Sequence, residues 1–320
     1  MEPVNQAALV AVRDCMGVKE GEKVLILTDE PTRRVGMALF EAAKLLGAQA
    51  YYVEMPTGMS HAEDPPEPVA EMLKLVDVAL IPTKMSLSHT DARREASRRG
   101  VRIATLPGIT EEVLARALKA DYFTIAKRSR AVAKLLTKGS MVKVTTARGT
   151  DVTMSIENRK GYADTGLNHD KGSFSNLPAG EAYIAPVEGT TEGVIYFDGS
   201  MAGVGLLENE TIRVGVKEGY ATEITGGEGA KKMLAAMEPH GPLAFNVAEL
   251  GIGTNSMARI TGNVLEDEKA MGTVHIAFGD NKSMGGTVDV PSHLDGVILK
   301  PTLYVDDELV IDRGTLLVEG

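Results

Sequence analysis

The sequence predicts an α/β domain built on a small doubly wound, mostly parallel sheet, followed by a β-rich α+β domain. Three observations carry this expectation. Short apolar runs alternate with amphipathic helical stretches through the first third of the chain. Near residue 137 the pattern changes to polar and apolar residues alternating around glycine-containing turns. Beyond that, glycine punctuates strand-like segments almost to the end.

The runs EKVLILTD (22–29), AQAYYVEM (48–55), VDVALIPT (76–83) and GVRIATLPG (100–108) are each bounded by turn residues. Near-continuous apolar runs of this length suit parallel strands, which are covered on both faces by their crossover helices. Between them, RRVGMALFEAAKLLG closes on a glycine and HTDARREASRRG turns a basic face outward, as amphipathic helices do. Strand and helix alternate, which gives a doubly wound sheet. The first strand leads into TDEPTRR, with neither G-x-G-x-x-G nor G-K-[ST], so no glycine-lined backbone approaches a pyrophosphate. This domain is expected to be scaffold, and Arg93, Arg94, Arg98 and Arg99 a solvated helix face.

KGSMVKVTTARGTDVTMSI alternates on both sides of a turn and predicts a hairpin; NETIRVGVKEGYATEITGG repeats the pattern around KEGY. A helix over GAKKMLAAM follows. The expected domains are therefore 1–135, a Rossmann-like scaffold, and 136–320, a catalytic metal-binding domain, with the boundary good to about four residues.

Composition bounds the function. A chain 43% hydrophobic and 24% charged folds. Its net charge of −10 opposes any general hold on phosphate backbones, so nucleic acid is excluded as a partner. No run is long and apolar enough for a membrane helix, and the N-terminus lacks a signal-peptide pattern, so a cytoplasmic protein with no membrane partner is expected. The single Cys15 forms no internal disulfide and is expected to be buried. The absence of Trp, with only Gln6 and Gln49, hints at a thermophilic source.

The stretch VHIAFGDNKSMGGTVDVPSHLDG (274–296) carries the chemistry. His275 shares a strand face with Thr273 and Ala277, small residues that leave room beside it. His293 and Asp295, two apart in an extended segment, project on the same side about 6.6 Å apart. A lone histidine in an apolar run is ordinarily a hydrogen-bonded core residue, and the second His with its carboxylate weakens that alternative. Glu249, in LAFNVAELGIGTN, follows an apolar strand; Glu181, in NLPAGEAYIAP, sits between a turn and an apolar segment. A buried carboxylate needs a cation, a donor or a metal. Together these five side chains form an oxygen and nitrogen donor set without sulfur, suited to Zn²⁺, Mn²⁺, Co²⁺ or Fe²⁺. Five ligands exceed the needs of one ion and suit a two-metal site, with ions about 3.5–4 Å apart.

NLPAGEAYIAP, AELGIGTN, DEKAMGTVHIAFG and SHLDG, in that order, resemble the thermophilic, leucyl aminopeptidase-like aminopeptidase T family of metallopeptidases. The resemblance is strong over residues 176–297 and holds only in outline before them. It implies that Glu181, Glu249, His275, His293 and Asp295 are metal ligands, and that the protein is a homodimer whose active sites face an internal cavity. The expected function is then a metal-dependent aminopeptidase acting on peptides. Two divalent ions per chain (Zn, Co or Mn) would lower the pKa of a bound water toward about 7 and capture the substrate amine. Glu249 and Lys282 are the catalytic candidates; Lys282 stands where these peptidases carry a Tyr, and is expected to face the developing oxyanion. Glu188 and Glu192, in VEGTTEG, are candidate proton-transfer groups, and His169, in GLNHDKGSFSN, a candidate substrate contact. The same superfamily includes proteins resembling 2,5-dihydroxypyridine dioxygenase, in which two His and one Asp hold a single Fe²⁺. In this alternative His275, His293 and Asp295 bind the iron, Glu181 and Glu249 orient the histidines, and the substrate is a small molecule. A third possibility is a non-enzymatic binding module with a degenerate site. His61, His89 and His240 are expected in a solvated loop, at a helix start and in a turn.

Overall fold

Strands that are apolar throughout must be covered on both sides, and the four apolar runs obey this rule. In the computed structural model, which describes residues 2–320, they form Lys23–Thr28, Gln49–Glu54, Val78–Ile81 and Arg102–Thr105. All pair in parallel, in the order Gln49–Glu54, Lys23–Thr28, Val78–Ile81, Arg102–Thr105, with Phe174–Asn176 added last. The inner strands are buried along almost their whole length, whereas the edge strand Gln49–Glu54 is partly exposed. Helix Arg33–Leu45 lays Val35, Leu39 and Ala42 toward the interior and is followed by Gly47 at φ 75°, a conformation glycine adopts without penalty. Helix Asp91–Arg98 starts where Thr90 Oγ1 accepts the Arg93 amide at 3.3 Å. Its Arg94, Arg98 and neighbouring Arg99 pair with Asp91 or Glu95 at the surface. Arg93 differs: its guanidinium lies 4.0 Å from the Phe174 ring centre and donates to Ser88 O.

Contacts divide the chain into two units. One extends to Phe123 and takes in Gly166–Ala179; the other comprises Thr124–Thr165 and Gly180–Gly320. Residue 135/136 falls inside helix Tyr122–Lys138, and the fifth strand of the parallel sheet comes from the returning segment. In the first unit the C-terminal ends of Lys23–Thr28 and Val78–Ile81, where such sheets ordinarily bind ligands, are tied together by buried Asp29, whose Oδ2 accepts the Lys84 amide at 2.8 Å.

Two antiparallel sheets make up the second unit. Among the described residues the larger has eight strands, in the order Tyr220–Thr225, Ile212–Lys217, Glu192–Phe197, Asp151–Ser155, Met141–Thr145, Thr302–Val305, Glu308–Asp312 and Thr315–Leu316. Both predicted hairpins lie in it. The tighter turns at Glu218 and Gly219, with φ of 50° and 77°, the two positive values that a right-twisted hairpin requires. The other sheet has seven strands: Gly205–Leu206, Ser200–Met201, His293–Ile298, Val274–Gly279, Val247–Gly253, Glu181–Ile184 and Tyr162–Asp164. Apolar side chains of both sheets and helix Gly227–Met237 form one core, in which Phe197 and Phe278 meet edge to face at 6.2 Å, a contact contributing about 1 kcal/mol beyond area burial. The α/β followed by β-rich α+β architecture is as the sequence predicts. Among the described residues no helix is long and apolar enough to cross a membrane.

Candidate metal centre

Alternation along the seven-stranded sheet sets two unlike surfaces back to back. Ala182, Ile184, Leu250, Ile252, Ile276 and Ile298 enter the core. On the same strands Glu181, Tyr183, Glu249, His275, His293 and Asp295 share the other face. Across the strands each long polar side chain meets a small one: Glu181 opposes Gly253, His275 opposes Gly251, Asp295 opposes Ala277 and His293 opposes Gly279. Room for the polar groups to lean together is thus written into the register. A Cβ on Gly251 would lie 1.9 Å from His275 Nε2, so the imidazole occupies the space that glycine leaves.

One irregularity places Glu249. Val247 opposes Phe278 in the core, yet Glu249 opposes Ala277 on the polar face, because the register shifts between them. Ala248 is the additional residue of a β-bulge, and it turns two residues that plain alternation would keep together onto opposite sides.

The convergence is tight. Glu249 spans the two imidazoles, its Oε1 3.3 Å from His275 Nε2 and its Oε2 3.2 Å from His293 Nε2. Glu181 Oε2 lies 3.3 Å from His275 Nε2, and Asp295 Oδ1 3.5 Å from His293 Nε2. His293 Nδ1 donates to Asp280 O at 2.8 Å, since a carbonyl only accepts; in the neutral ring this leaves the Nε2 lone pair directed at the cluster. Lys269 enters from the side, its Nζ 2.7 Å from Glu181 Oε1 and 2.5 Å from Glu268 Oε1. Three groups have ligand atoms within 4.8 Å of one another: Glu181, Glu249 and His275; Glu249, His293 and Asp295; Glu268, His275 and Asp295.

Charge governs the titration of these groups. Burial opposes a charge on His275, but the hydrogen bond with Glu249 and the fields of Glu181, Glu249 and Glu268 outweigh it and raise its pKa to about 9. His293 is likewise raised despite burial, by Asp295 and Glu249; its side chain keeps 32% of its surface in solvent, which tempers the effect. Burial would raise Glu249 and Asp295, yet the imidazoles hold both below the usual carboxylate range. Glu268 goes the other way: burial, with Asp295 and Glu181 nearby, pushes it up to about 8 against the pull of Lys269. Tyr183 is raised by burial and by Glu249 and Glu181, so its phenol keeps its proton.

These residues fit a divalent cation. The donors are imidazole nitrogens and carboxylate oxygens, and one buried atom that faces the cluster, Glu181 Oε2, carries no hydrogen bond.

All five predicted ligands therefore meet on one face. The other candidates are placed elsewhere. Lys282 is 64% exposed and its ammonium pairs with Asp289. His169 is exposed in the first unit, its Nε2 2.7 Å from Asp14 O and its ring against Gly17. Glu188 accepts from Asn281 and the Thr287 amide and pairs with Arg159, and Glu192 accepts the Glu218 amide; both brace loops. Glu268, Lys269 and Tyr183 carry no role in the sequence reading. The available signal was Glu266-Asp267-Glu268-Lys269, four charges directly before an apolar strand: Glu266 and Asp267 hold the loop amides of Arg259, Thr261 and Gly262, and the next two face the cluster.

A profile of the family described as NicX, 2,5-dihydroxypyridine 5,6-dioxygenase, matches residues 6–318. The 2,5-dihydroxypyridine 5,6-dioxygenase of Pseudomonas putida KT2440 is 25% identical over 98% of this chain and 97% of its own. A solved structure of 2,5-dihydroxypyridine dioxygenase from the same organism superposes with a TM-score of 0.82 at 23% identity, covering 99% of this chain and 98% of that one. Wild-type AmpT from Thermus thermophilus superposes with a TM-score of 0.74 at 16% identity over 99% of each chain, a likeness of fold. These findings overturn the expectation of a metallopeptidase: the assignment as hydrolase, aminopeptidase and protease is corrected to oxygenase chemistry. The four motifs misled because they report the strands that carry the candidate ligands, and a donor set of this kind is compatible with either chemistry.

Proposed function

The chain belongs to the 2,5-dihydroxypyridine 5,6-dioxygenase family, and from this premise we propose that it is an iron-dependent enzyme cleaving the ring of a small dihydroxylated N-heteroaromatic compound. The observation that carries the proposal is the meeting of His275, His293 and Asp295 around Glu249, two imidazoles and a carboxylate as in the facial sets of non-haem Fe(II) oxygenases.

In this reading His275, His293 and Asp295 hold the ion, and Glu249, with one oxygen beside each ring Nε2, adds negative charge that favours a cation between them. What ferrous iron supplies in such a set is the one-electron partner through which O₂ and a spin-paired ring become reactive toward each other. The surrounding residues receive the substrate. Tyr183 and Tyr162 stack at 5.5 Å and present aromatic surface beside the cluster, suited to a planar ring. The Tyr183 phenol is a permanent donor toward a substrate oxygen. Glu268, paired with Lys269 at 2.5 Å beside the cluster, offers a carboxyl group that can exchange a proton with a hydroxyl of the ring. The exposed part of His293 marks the side open to solvent. Each carbon of the broken bond receives one atom of O₂, so no external reductant enters the balance. The homodimer implied by the sequence resemblance is part of the same proposal and is checked by light scattering.

The test is oxygen uptake by protein reconstituted anaerobically with Fe(II) and given 2,5-dihydroxypyridine. Consumption of one O₂ per ring, with loss of the ring absorbance, is expected. Folded, iron-loaded protein that consumes no O₂ with this compound or related hydroxypyridines would remove the proposal.

A further inference from the structure

Resting on the metal centre proposed above, we infer that Lys269 is a built-in cation filling the position of a second divalent ion, so that the cluster takes one ion per chain. Glu181, Glu249, Glu268 and Asp295 crowd around two imidazoles, a supply of carboxylates that a two-ion centre would use. Two of their oxygens are already engaged by Lys269, which is 3% exposed at its side chain and lies 2.7 Å from Glu181 Oε1 and 2.5 Å from Glu268 Oε1. A metal ion bound to the same oxygens would sit about 2.0–2.2 Å from each, in the volume the ammonium occupies.

Glu181 divides its two oxygens accordingly. Oε1 goes to the ammonium; Oε2, buried and without a hydrogen bond, turns toward His275 Nε2 at 3.3 Å. This is how a carboxylate bridges two cations, with the ammonium standing for one of them. The lysine is also fixed at its root: its amide donates to Glu266 O at 3.0 Å and its carbonyl accepts the Asn255 amide at 2.9 Å. A second ion would have to expel a buried positive charge already held by two carboxylates.

Metal counting tests this. Metal-free protein is titrated anaerobically with Co(II), followed by its visible absorption, and bound metal is counted by mass spectrometry after desalting. Wild type saturates at one equivalent. Lys269→Gln and Lys269→Met bind a second, with an affinity at least about 100-fold above any second binding by wild type and with spin coupling between the two ions. Adding Glu181→Gln to Lys269→Gln returns the count to one. Two tightly bound ions in wild type overturn the inference, as does a single ion in both lysine variants when circular dichroism shows them folded. If neither variant folds, the wild-type count decides. Wild type that binds no metal overturns the metal centre itself, a failure distinct from the other two.

Discussion

Each imidazole of the cluster must give up a proton before it can bind a cation, and the carboxylates around it hold that proton in place. With the pKa of His275 raised to about 9 from an ordinary 6.5, the imidazolium–carboxylate pairs of the metal-free protein stabilise the fold fully below pH 6.5 and fade as pH rises to about 9. The melting temperature of metal-free protein should therefore fall across that window, by an amount corresponding to roughly 1–3 kcal/mol. Ion affinity should climb over the same range, with protons released on binding, as calorimetry in buffers of different ionisation enthalpy will show. A melting curve flat from pH 6.5 to 9 would contradict the charged cluster. Removing one donor has a simpler effect: His293→Ala or Asp295→Ala should weaken Fe(II) binding by more than about 100-fold, read by metal analysis, while near-native dichroism shows that the sheet survives.

Elements, in turn, decide which side chains can meet. Gly251 is the narrowest point, because any Cβ there enters the space of the His275 ring. Gly251→Ala should lower iron affinity at least about 10-fold by turning the ring aside, with the core on the opposite face untouched; equilibrium dialysis of the folded variant checks it. The sequence made much of this strand legible: apolar alternation around His275 and the two-residue spacing of His293 and Asp295 are periodic signals that survive folding. The bulge at Ala248 breaks periodicity and leaves no such mark, so Glu249 could be suspected but not aimed. The burial of Glu268 and Lys269 was equally hidden, because a charge run reads as solvated until its partners, far away in sequence, are known. Phe174–Asn176 escaped for the opposite reason, being short, polar and dependent on Arg102–Thr105 for its identity as a strand.

For the whole molecule, the order of residues in the chain and the order of units differ. A fragment cut to 136–320 would begin inside helix Tyr122–Lys138 and carry Phe174–Asn176 without the strand that pairs with it. It should be aggregation-prone and rapidly proteolysed, whereas the full chain resists; size-exclusion chromatography and limited trypsin digestion distinguish the two. Composition and pattern announced two kinds of architecture but could not foresee a segment returning to the first, since nothing in local periodicity records a long-range pairing. The corrected activity has the same origin: motifs identify what is mounted on the strands, and the substrate is chosen by neighbours that motifs omit. The back-to-back design of the seven-stranded sheet carries one last implication. Because the inward row does the folding and the outward row the chemistry, a lineage can refit its catalyst without renegotiating its scaffold. Kinship among such enzymes should then persist in shape long after their reactions have parted.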